Sequence, residues 1–279
     1  MKPTIFLLAQ LLAASLFAAD VPINIGGTPL TIPTPAGFVP VTAEMTAMNQ
    51  VFESVVAPQN IRFVSFIPEE FLPAVQRGEV PSIARNVSVQ TVKAVVDKPI
   101  TASDFSQLKE VMQKQNDEIM KKVESQMPGA MEKINKKIEG QFDAKLDLSL
   151  VGMVPLPPHE DTDRTLGFSY LVNFAMKARD GSPTNFSGVV TSTFIRAKGK
   201  LFFTYVNGAQ NDLAWTRQTS KDWAAAILAA NPSDAATAAA ESSSPGFDWG
   251  RVWSGAIIGG AIGGLYGLVR YLINRSKKT

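Results

Sequence analysis

One short segment between two apolar runs concentrates the side chains that could take part in chemistry. Residues 157–164 read PPHEDTDR and include the only histidine of the chain. Imidazole nitrogens and carboxylate oxygens are the groups that hold Zn²⁺, Mn²⁺ or Ca²⁺ in proteins. The segment therefore offers four candidate metal ligands, which are His159, Glu160, Asp161 and Asp163.

The spacing of these ligands matches neither the HExxH pattern of zinc peptidases nor the calcium loop of EF-hands. A catalytic zinc site normally takes three protein ligands from rigid elements, whereas these residues lie in a connection between two predicted strands. An exposed acidic connection would have the same composition. Two interpretations stay open: a solvated loop, and the metal site of a membrane-tethered, metal-dependent hydrolase.

Other catalytic arrangements find little support in the sequence. The chain has no cysteine, which excludes thiol nucleophiles, cysteine-ligated metal sites and disulfide bonds. A GxSxG motif is absent, and the glycine pairs Gly26-Gly27 and Gly259-Gly260 lack the context of a phosphate-binding loop. We therefore predict a protein that is not an enzyme and that needs no cofactor.

The charge of the chain argues against a nucleic-acid partner. The 27 Lys and Arg residues are nearly balanced by 25 Asp and Glu residues, which gives a net charge of +2. A nucleic-acid binder normally carries a concentrated basic face. Even the charged stretch over residues 103–145 has as many acidic side chains as lysines.

Residues 1–19 have the pattern of a secretory signal peptide. Lys2 precedes an apolar run that ends in two alanines before Asp20. A run this short, with a basic start and small residues at its end, is typical of export signals. An uncleaved anchor is the alternative interpretation. We expect the domain that follows to be exported.

The other end of the chain predicts a transmembrane helix over residues 251–274. Residues 252–269 carry no formal charge, and a helix continuing to Ile273 would be about 33 Å long, enough to span a bilayer once. The basic tail, residues 275–279, would stay in the cytoplasm. A short export signal and the lack of cysteine favour a bacterium. These features predict a single-pass protein of the bacterial inner membrane with a periplasmic N-terminal domain and a cytoplasmic C-terminus.

Glycine recurs at every fourth position of this span, at Gly255, Gly259, Gly263 and Gly267. Residues four apart share a helix face, so these glycines form a strip along which another helix could approach closely. The strip predicts a glycine zipper that joins the protein to a second copy or to another membrane protein. Glycine is also common in membrane helices that make no such contact, and that alternative stays open.

Residues 20–230 predict one α+β domain, and the small, polar residues 231–250 predict a flexible linker. Helical periodicity over 103–144 predicts a long amphipathic arm with a break at Pro128-Gly129. Alternating apolar residues predict about five to six antiparallel strands, packed on one face against helices.

The last third of the domain has the clearest pattern. The segment LGFSYLVNFAMK alternates apolar and polar residues, FSGVVTSTFIRA and LFFTYVNG follow as further strands after turns, and an amphipathic helix comes last. This order of elements resembles the end of Mog1/PsbP-like domains. The resemblance rests on element order over residues 20–230. It implies a twisted antiparallel sheet and a binding module without enzymatic activity, and it assigns no site residue.

Together these features predict a non-catalytic, membrane-anchored protein of the bacterial cell envelope. Its exported domain would act as an interaction module. The predicted partners are the lipid bilayer and, through the transmembrane helix, a second copy of the chain or another membrane protein.

Overall fold

The structure, a computed structural model, describes residues 20–114, 116–142, 147–177, 183–232 and 248–263. The predicted signal peptide, the basic tail, Gly267 and most of the predicted linker lie outside these residues. The described ranges comprise nearly all of the predicted domain and the first part of the predicted transmembrane helix.

The described chain begins with a two-stranded hairpin, as the sequence predicts. β1 (Val21–Ile25) pairs with β2 (Thr28–Ile32) in antiparallel register. Gly26 and Gly27 make the turn with φ angles of 50° and 82°, which residues with side chains rarely adopt. The Asn24 side chain accepts a hydrogen bond of 2.8 Å from the Gly27 amide and closes this turn.

The other strands form one antiparallel sheet of eight strands, more than the five to six that the sequence predicts. They are β3 (Phe38–Pro40), β4 (Asn60–Pro68), β5 (Asn86–Val92), β6 (Asp147–Pro155), β7 (Glu160–Asp161), β8 (Thr165–Lys177), β9 (Pro183–Ala197) and β10 (Lys200–Ala209). Their order across the sheet is β3-β4-β5-β10-β9-β8-β6, and β7 pairs with β8 next to β6. β6 is therefore an edge strand.

Helices cover both faces of this sheet, although the sequence predicts helices on one face only. They are α1 (Thr46–Ser54), α2 (Leu72–Gln76), α3 (Ala102–Lys114), α4 (Asn116–Phe142), α5 (Leu213–Ala230) and α6 (Trp249–Gly263). α5 and the hairpin cover the face that carries Phe202, whereas α1, α3, α4 and α6 cover the face that carries Leu201 and Phe203. β10 is thus apolar on both sides, and each side requires cover.

The predicted arm over 103–144 consists of two helices, and its predicted break is wrong. α4 runs without interruption through Pro128-Gly129. An interior proline costs a helix about 3 kcal/mol. The apolar stripe of α4 nevertheless continues in phase across it, and Met127 and Met131 on either side are both buried in the core. Tertiary packing therefore keeps this helix continuous.

The transmembrane helix predicted over residues 251–274 is wrong for the residues that the structure describes. α6 is a helix of 15 residues that lies between the sheet and helices α3 and α4, and 12 of its residues are buried. Among the described helices, none combines the length and the hydropathy that a membrane crossing requires. A helix that is apolar on all sides is typical of a protein core as well as of a membrane, and the domain supplies the apolar surroundings of α6.

The glycines of α6 bring its main chain close to the sheet. A Cβ atom at Gly259 would overlap the side-chain amide of Asn60. A Cβ at Gly260, which lies beside the predicted strip, would overlap the hydroxyl of Tyr170. At Gly263 the nearest atom is 3.7 Å away, an ordinary contact. The crowded face of α6 therefore lies on the sheet of its own chain.

Two buried tyrosines complete this contact. The Tyr205 hydroxyl donates a hydrogen bond of 2.8 Å to the Ala256 carbonyl, and the Tyr170 hydroxyl donates one of 3.3 Å to the Ile257 carbonyl. Burial raises the pKa of both hydroxyl groups, so they stay neutral donors at physiological pH.

Candidate functional site

The predicted metal loop folds back onto β8. β7 pairs with Leu166 and Gly167, and the His159 amide donates a hydrogen bond of 2.9 Å to the Gly167 carbonyl. The imidazole lies over this glycine, where a Cβ would come within 3.1 Å of Nε2. Both ring nitrogens are buried and have no hydrogen-bond partner among the described residues. Close packing on a glycine thus encloses the imidazole.

The acidic residues of the loop have separate partners. Glu160 accepts a hydrogen bond of 2.6 Å from the Thr165 hydroxyl, and Asp161 forms an ion pair of 2.6 Å with Lys109 of α3. Asp163 is exposed. Within the described ranges, no three His, Cys, Asp or Glu side chains are grouped so that they could hold a metal ion. The structure therefore brings the four predicted ligands into one loop but not around one point.

The pKa of His159 falls from the ordinary 6.5 to about 4, first because burial disfavours the charged form and then because Arg217 and Lys221 are nearby. The unfolded chain takes up a proton near pH 6.5, whereas the folded chain does so only near pH 4. The unfolded state therefore binds more protons between these values. The contribution of His159 to stability is full above about pH 6.5 and is lost as the pH falls towards 4.

We expect the free energy of unfolding to fall by about 1–2 kcal/mol between pH 6.5 and 4 through this group, a value reduced for solvent screening of a partly exposed side chain. His159→Gln, which cannot titrate, should remove this part of the pH dependence. Urea unfolding of the full chain and of the variant at several pH values between these limits measures it. Equal slopes in the two proteins would contradict the burial of the imidazole.

α3 also carries Ser106 and Lys109 at the SxxK spacing of some acyl-transfer enzymes. The Ser106 hydroxyl donates a hydrogen bond of 3.0 Å to the Ala102 carbonyl in its own helix, while Lys109 is bound to Asp161. Because the lysine is held in an ion pair and the hydroxyl is turned to the main chain, the two are not arranged as a nucleophile and its base.

A groove of about 510 Å³ lies between α4 and the edge strand β6. This volume is within the range of sites that bind ligands. Methionine is prominent in its lining, and methionine side chains adapt to ligands of different shape. The apolar residues that line the groove include Met127, Met131, Leu148, Leu150, Val151 and Met153.

One amide side chain joins the two walls of the groove. Asn135 of α4 donates a hydrogen bond of 3.1 Å to the Leu148 carbonyl and accepts one of 3.3 Å from the Leu148 amide. These two groups of β6 therefore point away from β8 and towards α4. The Asn135 amide therefore makes the two hydrogen bonds to Leu148 that the main chain of a neighbouring strand would make.

The part of β6 beyond this point is irregular and exposed. The register with β8 shifts between Leu150 and Gly152, which marks a β-bulge at Val151. The Val151 side chain is 66% exposed and Val154 is 51% exposed, and these are the exposed large hydrophobic residues in the described part of the chain. An edge strand presents main-chain groups with which another polypeptide can pair.

Acidic side chains surround the groove. Four carboxylates and one lysine line it, which gives the lining a net charge of −3, and the lysine is in an ion pair of 2.7 Å with Glu132. Lys177 stands opposite Asp147 in the β6–β8 register and offsets part of this charge. The charged lining residues are Glu124, Glu132, Lys136, Glu139 and Asp147.

The residues of the groove carry no motif, and the sequence does not identify them as a site. Met127 and Met131 belong to the apolar stripe of the predicted arm, and Leu148 and Leu150 belong to a predicted strand, so all four are expected in the core. The one signal is Val151-Gly152, where glycine interrupts a strand that has exposed valines. Such an interruption indicates a bulge.

The chain resembles a known protein in its fold but not in its sequence. No known family model and no curated protein matches the sequence. Among solved structures, the chain is similar to the solution structure of cyanobacterial PsbP (CyanoP) from Synechocystis, with 11% identity and a TM-score of 0.29. The match covers 81% of this chain and 99% of that chain. PsbP is one of the families that the order of elements resembles.

Proposed function

We propose that the protein is a non-catalytic binding module that holds an extended polypeptide segment in the groove between α4 and β6. The observation that carries this proposal is the side of β6 that pairs with no strand among the described residues and lies next to a groove with apolar walls. An extended segment that adds to a sheet edge gains main-chain hydrogen bonds, and pockets beside the edge select alternate side chains.

The stretch of β6 before the bulge is the part that such a segment would meet. At Leu148 the amide and carbonyl already pair with a side chain, that of Asn135, and not with a strand. An incoming main chain would replace these two hydrogen bonds of Leu148 with two of the same kind, and the Asn135 amide, which is only half-buried, would turn to water. The apolar side chains of the segment would enter between Met127 and Met131 on one side and Leu150 on the other.

Charge selects the kind of segment. Because the groove lining has a net charge of −3, a segment with Lys or Arg between its apolar residues is favoured and an acidic one is repelled. The proposed partner is therefore a basic, alternating segment of another protein. Export of the domain, predicted from residues 1–19, would place this partner in the cell envelope.

Two synthetic peptides test this proposal on the full chain. The probe is a capped peptide of about ten residues that alternates Val and Lys, and its matched control alternates Val and Glu. We expect fluorescence anisotropy to show at least about 10-fold tighter binding of the Lys peptide, with an affinity that falls as salt is added. Equal affinities, or no binding of either peptide, would contradict the proposal.

A further inference from the structure

We propose that the groove selects one order of residues in the segment that it binds: apolar, any residue, apolar, basic, from the N-terminus to the C-terminus. The segment runs antiparallel to β6, and Asp147 selects the basic side chain. This inference rests on the proposed binding function and adds to it a direction and a sequence. It is carried by the hydrogen bonds of Asn135 and by the alternating exposure of the first four residues of β6.

The hydrogen bonds of Asn135 indicate the direction of the segment. One side-chain amide satisfies both the amide and the carbonyl of Leu148. In an antiparallel pair the two main-chain hydrogen bonds of a residue also go to one residue of the neighbouring strand, whereas in a parallel pair they go to two. Asn135 therefore takes the position of one residue of an antiparallel strand. The described strand pairs of this sheet are all antiparallel as well.

Two residues of β6 direct their main-chain groups towards such a segment. Leu148 directs its amide and carbonyl away from β8, as its contacts with Asn135 show. Leu150 has the same orientation, because strand geometry repeats every two residues and the register with β8 is regular between these two leucines. The bulge at Val151 then interrupts the pattern. The segment therefore forms its main-chain hydrogen bonds at Leu148 and Leu150.

The segment residues opposite these two leucines face the apolar walls of the groove. Side chains directly opposite each other on neighbouring antiparallel strands lie on the same face of the sheet. Leu148 is buried in the core and Leu150 packs against it, on the face that α4 covers. The opposite residues therefore point towards Met127 and Met131, where apolar side chains fit. The residue between them, opposite the exposed Ser149, points away from α4 and is free to vary.

Asp147 determines the fourth position of the order. Its side chain is exposed and lies on the same face as that of Ser149, away from α4. The segment residue opposite Asp147 forms no main-chain hydrogen bonds with it, and such pairs bring the two Cα atoms to about 4.5 Å. Opposite charges in this arrangement attract and like charges repel, so Lys or Arg is selected. Because the segment is antiparallel, this residue follows the two apolar positions.

The carboxylates of α4 do not select a position in the same way. They belong to the wall that the apolar residues of the segment face, and Glu132 is already in an ion pair with Lys136. Their charge attracts a basic segment whatever the order of its residues. Asp147, in contrast, lies on β6 itself and is in register with the segment. Lys177, which stands opposite Asp147 on β8, leaves the other side of this residue to the segment.

Two peptides of equal composition and opposite order test this inference on the full chain. The first is capped Thr-Val-Thr-Val-Lys-Thr-Thr-Thr-Thr, and the second is its exact reverse. With the valines opposite Leu148 and Leu150, the first peptide places its lysine opposite Asp147, whereas the second places it beside the bulge at Val151. We expect fluorescence anisotropy to show about 3-fold tighter binding of the first peptide.

Asp147→Asn should abolish this preference, so that the two peptides bind with equal affinity. Glu139→Gln removes the same charge from the α4 wall of the groove and is the matched control. It should weaken binding of both peptides alike and leave the preference in place.

Several results would overturn the order and the role of Asp147 while binding of the Val/Lys probe peptide still supports the groove. They are equal binding of the two peptides or binding of neither, a preference for the reversed peptide, a preference that survives Asp147→Asn, and a preference that is lost in Glu139→Gln as well. If the Val/Lys probe peptide also fails to bind, the proposed function is overturned together with this inference.

Discussion

Gly260→Ala should lower the free energy of unfolding by about 3 kcal/mol. The new Cβ would overlap the Tyr170 hydroxyl and would lie 2.8 Å from the Tyr205 ring. Neither tyrosine can move aside easily, because both are buried and both hydrogen-bond to α6. Relief of the overlap would require α6 to lift from the sheet. Urea unfolding of the full chain, followed by tryptophan fluorescence, measures the loss.

Gly263→Ala is the matched control, since it makes the same substitution one turn further along α6. Its Cβ would have 3.7 Å to the nearest atom, and alanine favours a helix by up to about 1 kcal/mol over glycine. We expect stability to be unchanged or slightly higher. A larger loss at Gly263 than at Gly260 would contradict the packing of α6 on the sheet, because Gly263 belongs to the predicted zipper strip and Gly260 does not.

Val151→Lys should weaken binding of the Val/Lys probe peptide by about 10-fold or more. The substitution places a positive charge in the lining of an acidic groove and removes an apolar contact. Since Val151 is largely exposed, its replacement should change stability by no more than about 0.5 kcal/mol. Anisotropy titrations of the full chain measure the affinity, and urea unfolding checks the fold.

Val154→Lys distinguishes the effect of the groove on binding from the effect of the protein's overall charge. Val154 is exposed on the same strand and is not among the residues that line the groove. The variant changes the net charge by the same amount, and we expect it to weaken binding by less than about 3-fold, through screened long-range repulsion. Equal losses in both variants would mean that general electrostatic attraction, and not the groove, holds the peptide.

Local pattern was enough to predict the longer strands of the sheet. Alternation of apolar and polar residues correctly predicts β8, and runs of apolar and β-branched residues bounded by turns correctly predict β9 and β10. The hairpin follows from Gly26-Gly27, which permits the turn that these two short strands need. The α+β class is confirmed. The predicted number of strands is too low, because β3 and β7, with three and two residues, are too short to show a pattern.

The position of α6 could not be predicted from its own residues. Its apolar composition and its glycines suit a membrane and a protein core equally. In the fold, α6 packs against a sheet face on which the buried polar side chains of Asn60 and Asn207 lie next to its glycines. Only the fold shows that a helix with an accessible main chain covers these polar side chains.

The candidate groove could not be predicted from the sequence for a similar reason. Its walls come from α4 and β6, and their residues carry an ordinary core pattern in each element taken alone. The gap between the two elements follows from the bulge at Val151 and from the way Asn135 bridges them, and neither depends on a motif. In the His159 loop the composition pointed to ligands, but Lys109, distant in sequence, binds one of the carboxylates.

Amide hydrogen exchange of the full chain, with and without the Val/Lys probe peptide, tests the proposed binding function most directly. Main-chain hydrogen bonds to an added strand slow exchange at the residues that form them. We predict slower exchange in Asp147–Pro155 of β6 and in the part of α4 around Asn135, with little change at the opposite sheet edge in Phe38–Pro40. Protection confined to other segments, or none at saturating peptide, would contradict the account.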